Sequence, residues 1–95
     1  MHYIVRPGVV RTQICGVYLL IPDRKASEAC PGVQRINFLL SAAVEELEKG
    51  HPVDNIYSFY RILSKKPEEE VRSKIDGILA DLCDKGFLIR MEDDA

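Results

Sequence analysis

The chain has 95 residues, 46% of them apolar and 29% charged, a length that fits one hydrophobic core, so a single domain and not a multidomain enzyme is expected. Thirteen basic and fifteen acidic residues leave a net charge of −2, so there is no chain-wide positive field to attract a nucleic-acid backbone. The longest apolar runs, Val17 to Ile21 and Phe38 to Leu40, are far too short to cross a bilayer, and no basic region leads into a hydrophobic stretch at the N-terminus; a cytoplasmic protein without a membrane partner is expected.

The first third of the chain reads as β-structure. Val9 to Ile14 and Val17 to Ile21 flank the two-residue step Cys15-Gly16, the spacing of a tight hairpin whose glycine takes positive φ. Pairing Ile14 with Val17 also pairs Thr12 with Leu19 and Val10 with Ile21, which gathers nearly all the β-branched and aliphatic groups on one face. That face is expected to be the one that packs. The other carries Arg11, Gln13, Tyr18 and Leu20. A polar excursion from Pro22 to Gly32 precedes a third strand, Val33 to Ile36, whose weak alternation suits a sheet margin.

Three helices are expected next. Asn37 is positioned to cap the first, where Leu40, Ala43, Val44 and Leu47 form one stripe and Gly50 ends the run. Asp54 is placed to cap the second, with Ile56, Tyr60 and Leu63 on one side and Lys65 and Lys66 at its negative end. The third opens with Pro67 at the first helical position and Glu68 to Glu70 at the positive end of the dipole. It continues through Val71, Ile75, Ile78, Leu79 and Leu82 and stops at Gly86. Phe87 to Met91 reads as a short extended tail, and Glu92 to Ala95 as a frayed end.

No catalytic constellation is recognisable. Cys15, Cys30 and Cys83 are too scattered for a disulfide framework or a zinc site, and His2 and His51 stand apart from them, so reduced thiols and no metal or cofactor are expected. There is no phosphate-cradling glycine loop, and the serines lack a nucleophile-elbow context. What remains is shape. An open third strand beside an amphipathic helix suits an extended peptide, paired through its main chain on one side and pressed against apolar side chains on the other. Arg35, Arg72 and Lys74 would favour acidic residues in such a guest.

Several strings carry a resemblance: Gly8-Val9-Val10-Arg11-Thr12, Ile14-Cys15-Gly16, Tyr18-Leu19-Leu20, Val33-Gln34-Arg35-Ile36-Asn37, Pro67-Glu68-Glu69-Glu70-Val71 and Asp84-Lys85-Gly86-Phe87-Leu88. In this order, over nearly the whole chain, they resemble the PqqD-like peptide chaperones, also called RiPP recognition elements. The resemblance implies a single α+β domain, with a three-stranded antiparallel sheet over residues 1–36 and a three-helix, winged-helix-like bundle over 37–91. It implies a non-catalytic protein that binds the leader segment of a ribosomally made precursor peptide and presents it to a modifying enzyme, often a radical SAM maturase. Carried over by position, the peptide-binding residues are Val33, Gln34, Arg35 and Ile36 on the strand and Val71, Arg72, Lys74, Ile75, Ile78 and Leu79 on the helix. The family's first helix carries a bulky aromatic where this chain has Ala42 to Val44, so Phe38, Tyr57 or Phe59 is expected to fill that part of the core.

Two other classes remain open. A winged-helix DNA-binding regulator shares the three-helix arrangement, but Glu68 to Glu70, Asp76, Asp81 and Asp84 give the third helix the wrong sign for phosphates. A homodimer is the other, since the open strand edge would also pair with its own copy.

Overall fold

The computed structural model describes residues 2–92, an α+β fold with five strands and three helices among them. In chain order these are β1 (His2–Val5), β2 (Val9–Ile14), β3 (Val17–Pro22), β4 (Gln34–Ile36), α1 (Phe38–Glu48), α2 (Val53–Ser64), α3 (Glu68–Asp84) and β5 (Leu88–Met91), with one 3-10 turn at Ala26–Glu28. Strands β2, β3 and β4 form an antiparallel sheet in that order, and β1 pairs antiparallel with β5 in a separate ribbon. Of the expected frayed end, Glu92 follows β5 without regular structure and 93–95 lie outside the described residues. Among the described residues no helix is long and apolar enough to cross a membrane.

The β2–β3 hairpin has the register read from the sequence, with Ile14 opposite Val17, Thr12 opposite Leu19 and Val10 opposite Ile21. Cys15 and Gly16 both take positive φ, 50° and 78°, which twists the turn in the sense that two antiparallel strands require.

The face that packs is the opposite of the one expected. Leu20 is buried, with Tyr18 and Val9 packed against the core, whereas Val10 and Ile14 are 57% and 53% exposed. Size and charge pairing decide this against the count of β-branched groups. Tyr18 and Leu20 offer the larger apolar surface, and Arg11, on their side of the sheet, reaches α1 instead of burying an unpaired charge. Its guanidinium lies 3.3 Å from each Glu48 carboxylate oxygen through Nε and Nη2, and Nη1 donates to Ser41 Oγ at 3.4 Å. The aliphatic face of the hairpin is thus a surface. Val10→Lys is therefore expected to change stability by no more than about 0.5 kcal/mol, a shift that a thermal melt would resolve from the several kcal/mol expected of a core position.

Asn37 caps α1 as expected, its Oδ1 accepting from the Leu40 N–H at 2.7 Å. Asp54 does not cap α2. The helix already begins at Val53, after an extended Pro52, so Asp54 sits in the first turn, where its charge complements the dipole without a capping bond. Pro67 likewise falls one residue before the helical span of α3.

Helix α3 ends in a Schellman arrangement. The Phe87 N–H donates to the Leu82 carbonyl and the Gly86 N–H to that of Cys83, both at 3.0 Å. Gly86 has φ +88°, and a Cβ there would come 2.2 Å from the Ala29 carbonyl oxygen, so only glycine lets the 23–32 loop cross this point. The sharp exit turns Phe87 into the core, where it is fully buried.

The core gathers Leu20, Ile36, Val44, Leu47, Ile56, Val71, Ile75, Leu79, Leu82, Phe87 and Leu88. Its aromatic bulk comes from Tyr3, Tyr57, Tyr60 and Phe87. Of the three aromatics expected beside α1, Tyr57 is buried, while Phe38 and Phe59 are exposed, as is Leu63 of the stripe expected on α2. Tyr57 is held from two sides: its hydroxyl donates to Asp76 Oδ1, and the Arg72 guanidinium lies 5.0 Å from its ring centroid. Burial, then the Asp76 hydrogen bond and charge, pushes the Tyr57 hydroxyl above the ordinary phenol range.

Candidate functional site

The edge of β4 away from β3 pairs with no strand among the described residues. The C-terminal strand β5 does not seal it, because β5 pairs with β1, His2 opposite Met91. Facing that edge is α3, and between them runs an open groove of about 520 Å³, within the roughly 300–1,000 Å³ range of ligand clefts. Gln34, Ile36 and Asn37 form its strand side and Leu40 of α1 its end, while Ser73, Lys74, Gly77, Ile78, Asp81, Leu82 and Lys85 line the helix side. The half-buried Leu40 and Ile78 supply the accessible apolar surface, over a floor formed by the buried Ile36 and Leu82.

The rim is charged unevenly. Lys85 Nζ lies 3.0 Å from Asp81 Oδ2, whereas Lys74 has no carboxylate partner among the described residues. Gly77 lies midway along the helix wall. A Cβ there would meet nothing within 4 Å, so the fold itself makes no demand for a glycine, which costs a helix interior roughly 1 kcal/mol relative to alanine.

Of the ten residues carried over by position, the groove brings together Gln34, Ile36, Lys74 and Ile78. Val71, Ile75 and Leu79 do not reach it. They are 3% exposed or less, because they lie on the stripe of α3 that packs into the core. Arg72 is turned toward α2, stacked on Tyr57 and ion-paired with Glu68 at 3.2 Å. Val33 lies just before β4 and is exposed. Arg35 sits opposite Leu19, on the outer face of the sheet, and is exposed there.

Ser73, Gly77, Asp81, Leu82, Lys85, Asn37 and Leu40 were not foreseen as groove residues. Leu40 and Leu82 were read from the hydrophobic period only as core residues, and that period passes over the small and polar positions beside the stripe. The one available signal was an interior glycine in a helix with a strong apolar repeat.

A second recess of about 400 Å³ lies around the C-terminal end of β4 and shares Ile36 and Asn37 with the groove. Gly16, Val17, Tyr18, Arg35 and Phe38 complete it. Tyr18 and Phe38 meet edge to face there, with ring centroids 6.0 Å apart.

The thiols lie apart: Cys15 exposed at the hairpin tip, Cys30 buried and Cys83 half-buried, and burial pushes the last two above the ordinary thiol range. Among the described residues no three His, Cys, Asp or Glu side chains are grouped to hold a metal ion. Comparison with family models, with curated proteins and with solved structures returned no match.

Proposed function

We propose that this protein is a non-catalytic adaptor that captures a peptide as an added strand on β4 and holds its alternate side chains in the groove against α3. In keeping with the resemblance to PqqD-like chaperones, the guest is the leader segment of a ribosomally made precursor, presented to a separate modifying enzyme such as a radical SAM maturase. The observation that carries this reading is the coincidence of an unpaired strand edge with an apolar trough beside it. The edge supplies main-chain donors and acceptors whatever the guest sequence, and Leu40 and Ile78, above the buried Ile36 and Leu82, select for apolar groups. Lys74 adds a preference for a carboxylate at one rim position.

The DNA-binding reading has less support. Helix α3 carries six carboxylates against two cations, the wrong sign for a duplex phosphate backbone. Pairing of β4 with a second copy competes for the same edge, but β4 spans only three residues, which leaves few ladder hydrogen bonds to hold a dimer without the groove.

The test is selection from a display library of random 12-residue peptides on the immobilised protein, followed by amide chemical-shift mapping with one selected peptide. Enrichment of alternating apolar sequences, with shifts at Gln34 to Ile36 and along Ser73 to Lys85, is the expected result. Failure to enrich any sequence, or shifts confined to another surface, would overturn the proposal.

A further inference from the structure

The second recess, at the C-terminal end of β4, is unassigned by the strand-and-groove reading. It is built differently from the groove. Phe38 opens α1 but leaves 58% of its surface exposed, resting edge to face on Tyr18. An aromatic in that state retains much apolar area available for cover. Beside it stands Arg35, which forms no ion pair among the described residues, although the other arginines of the sheet and α3, Arg11 and Arg72, are both paired with glutamates. A polar contact does involve its backbone, whose carbonyl accepts from the Gln34 side-chain amide at 3.0 Å. The guanidinium itself is left with all its donors directed to solvent or to a guest.

Continuity decides what the recess serves. It shares Ile36 and Asn37 with the groove, so a chain paired along the free edge of β4 reaches it by crossing the end of that strand past Ile36, toward Tyr18 on the β3 side. We propose that the recess is a second subsite for the same guest, taking a bulky apolar side chain against Phe38 and Tyr18 together with a neighbouring Asp or Glu on Arg35, just beyond the residues paired with β4. The assignment rests on the peptide-capture reading and adds to it a distinct determinant. The groove selects a pattern of alternate apolar residues; the recess selects an acidic-apolar pair at one fixed distance from that pattern. It also gives Arg35 a role from the outer side of the strand, where the groove cannot use it.

The test repeats the selection of random 12-residue peptides on three proteins: the parent, Arg35→Glu and Phe38→Ser, each first shown by thermal melt to be folded. Arg35→Glu is expected to melt with the parent and Phe38→Ser, which loses the contact with Tyr18, a few degrees below it, both with a cooperative transition. Peptides selected on the parent are expected to carry an acidic residue next to a bulky apolar one at a fixed offset from the alternating segment. On Arg35→Glu the acidic position is expected to change to Lys or Arg while the alternating segment persists. Phe38→Ser is expected to weaken a parent-selected peptide about tenfold, equivalent to about 1.4 kcal/mol. If the alternating segment is enriched but the charge at the offset position does not follow residue 35, the subsite is wrong and peptide capture stands. If no protein enriches any sequence, peptide capture falls and the subsite falls with it.

Discussion

Gly77→Ala is expected to make the protein more stable, and Gly77→Leu to make it unable to capture a peptide while still folded. A glycine in a helix interior costs roughly 1 kcal/mol relative to alanine, and nothing within 4 Å of the added methyl opposes it. For a domain of this size a gain of about 1 kcal/mol corresponds to a rise in melting temperature of roughly 4–8 °C. A leucine at the same position extends its side chain into the groove between α3 and β4 and fills space that the proposed guest needs. Loss of binding by more than tenfold, with a melting temperature at or above that of the parent, separates occlusion from damage. Retention of binding by Gly77→Leu would place the guest somewhere other than this groove.

The second large effect is a contrast between neighbours on α3. Ile75 is 2% exposed and belongs to the core, so Ile75→Asp places a carboxylate where it has neither water nor a partner. A cost of roughly 4 kcal/mol or more is expected, a large share of the ~5–15 kcal/mol that holds an ordinary domain together. The variant should lose its cooperative melt. Ile78, three residues on, is half-buried and faces the groove, so Ile78→Asp keeps a solvated carboxylate and is expected to melt within a few degrees of the parent. Its expected loss is in binding, through a charge set in the apolar wall. Circular-dichroism melts read the first effect and titration with a selected peptide the second. A folded Ile75→Asp or an unfolded Ile78→Asp would contradict the assignment of these two faces.

That contrast marks where the sequence was informative. The stripe of α3 that holds the fold was legible because Val71, Ile75, Leu79 and Leu82 repeat at the helical period. The face that lines the groove was not, because it is built from Ser73, Gly77 and Asp81, which carry no hydrophobic signal. The hairpin register was legible from Cys15-Gly16, since two residues at positive φ permit only one tight pairing. Which side of the hairpin turns inward was not, because it depends on α1: Glu48 and Ser41 give Arg11 somewhere to go. Strand β1 was invisible for a similar reason. Four residues at one end of the chain have meaning as a strand only through Leu88–Met91 at the other, a pairing that no local pattern announces.

This pairing has a use beyond closing the fold. With His2 directly across the ladder from Met91, the backbone joins and quits the paired ribbon at points about 5 Å apart. A host protein could therefore carry the unit within one of its own surface loops, entering and returning at adjacent points, with no long spacer and no rebuilding of the trough beside α3.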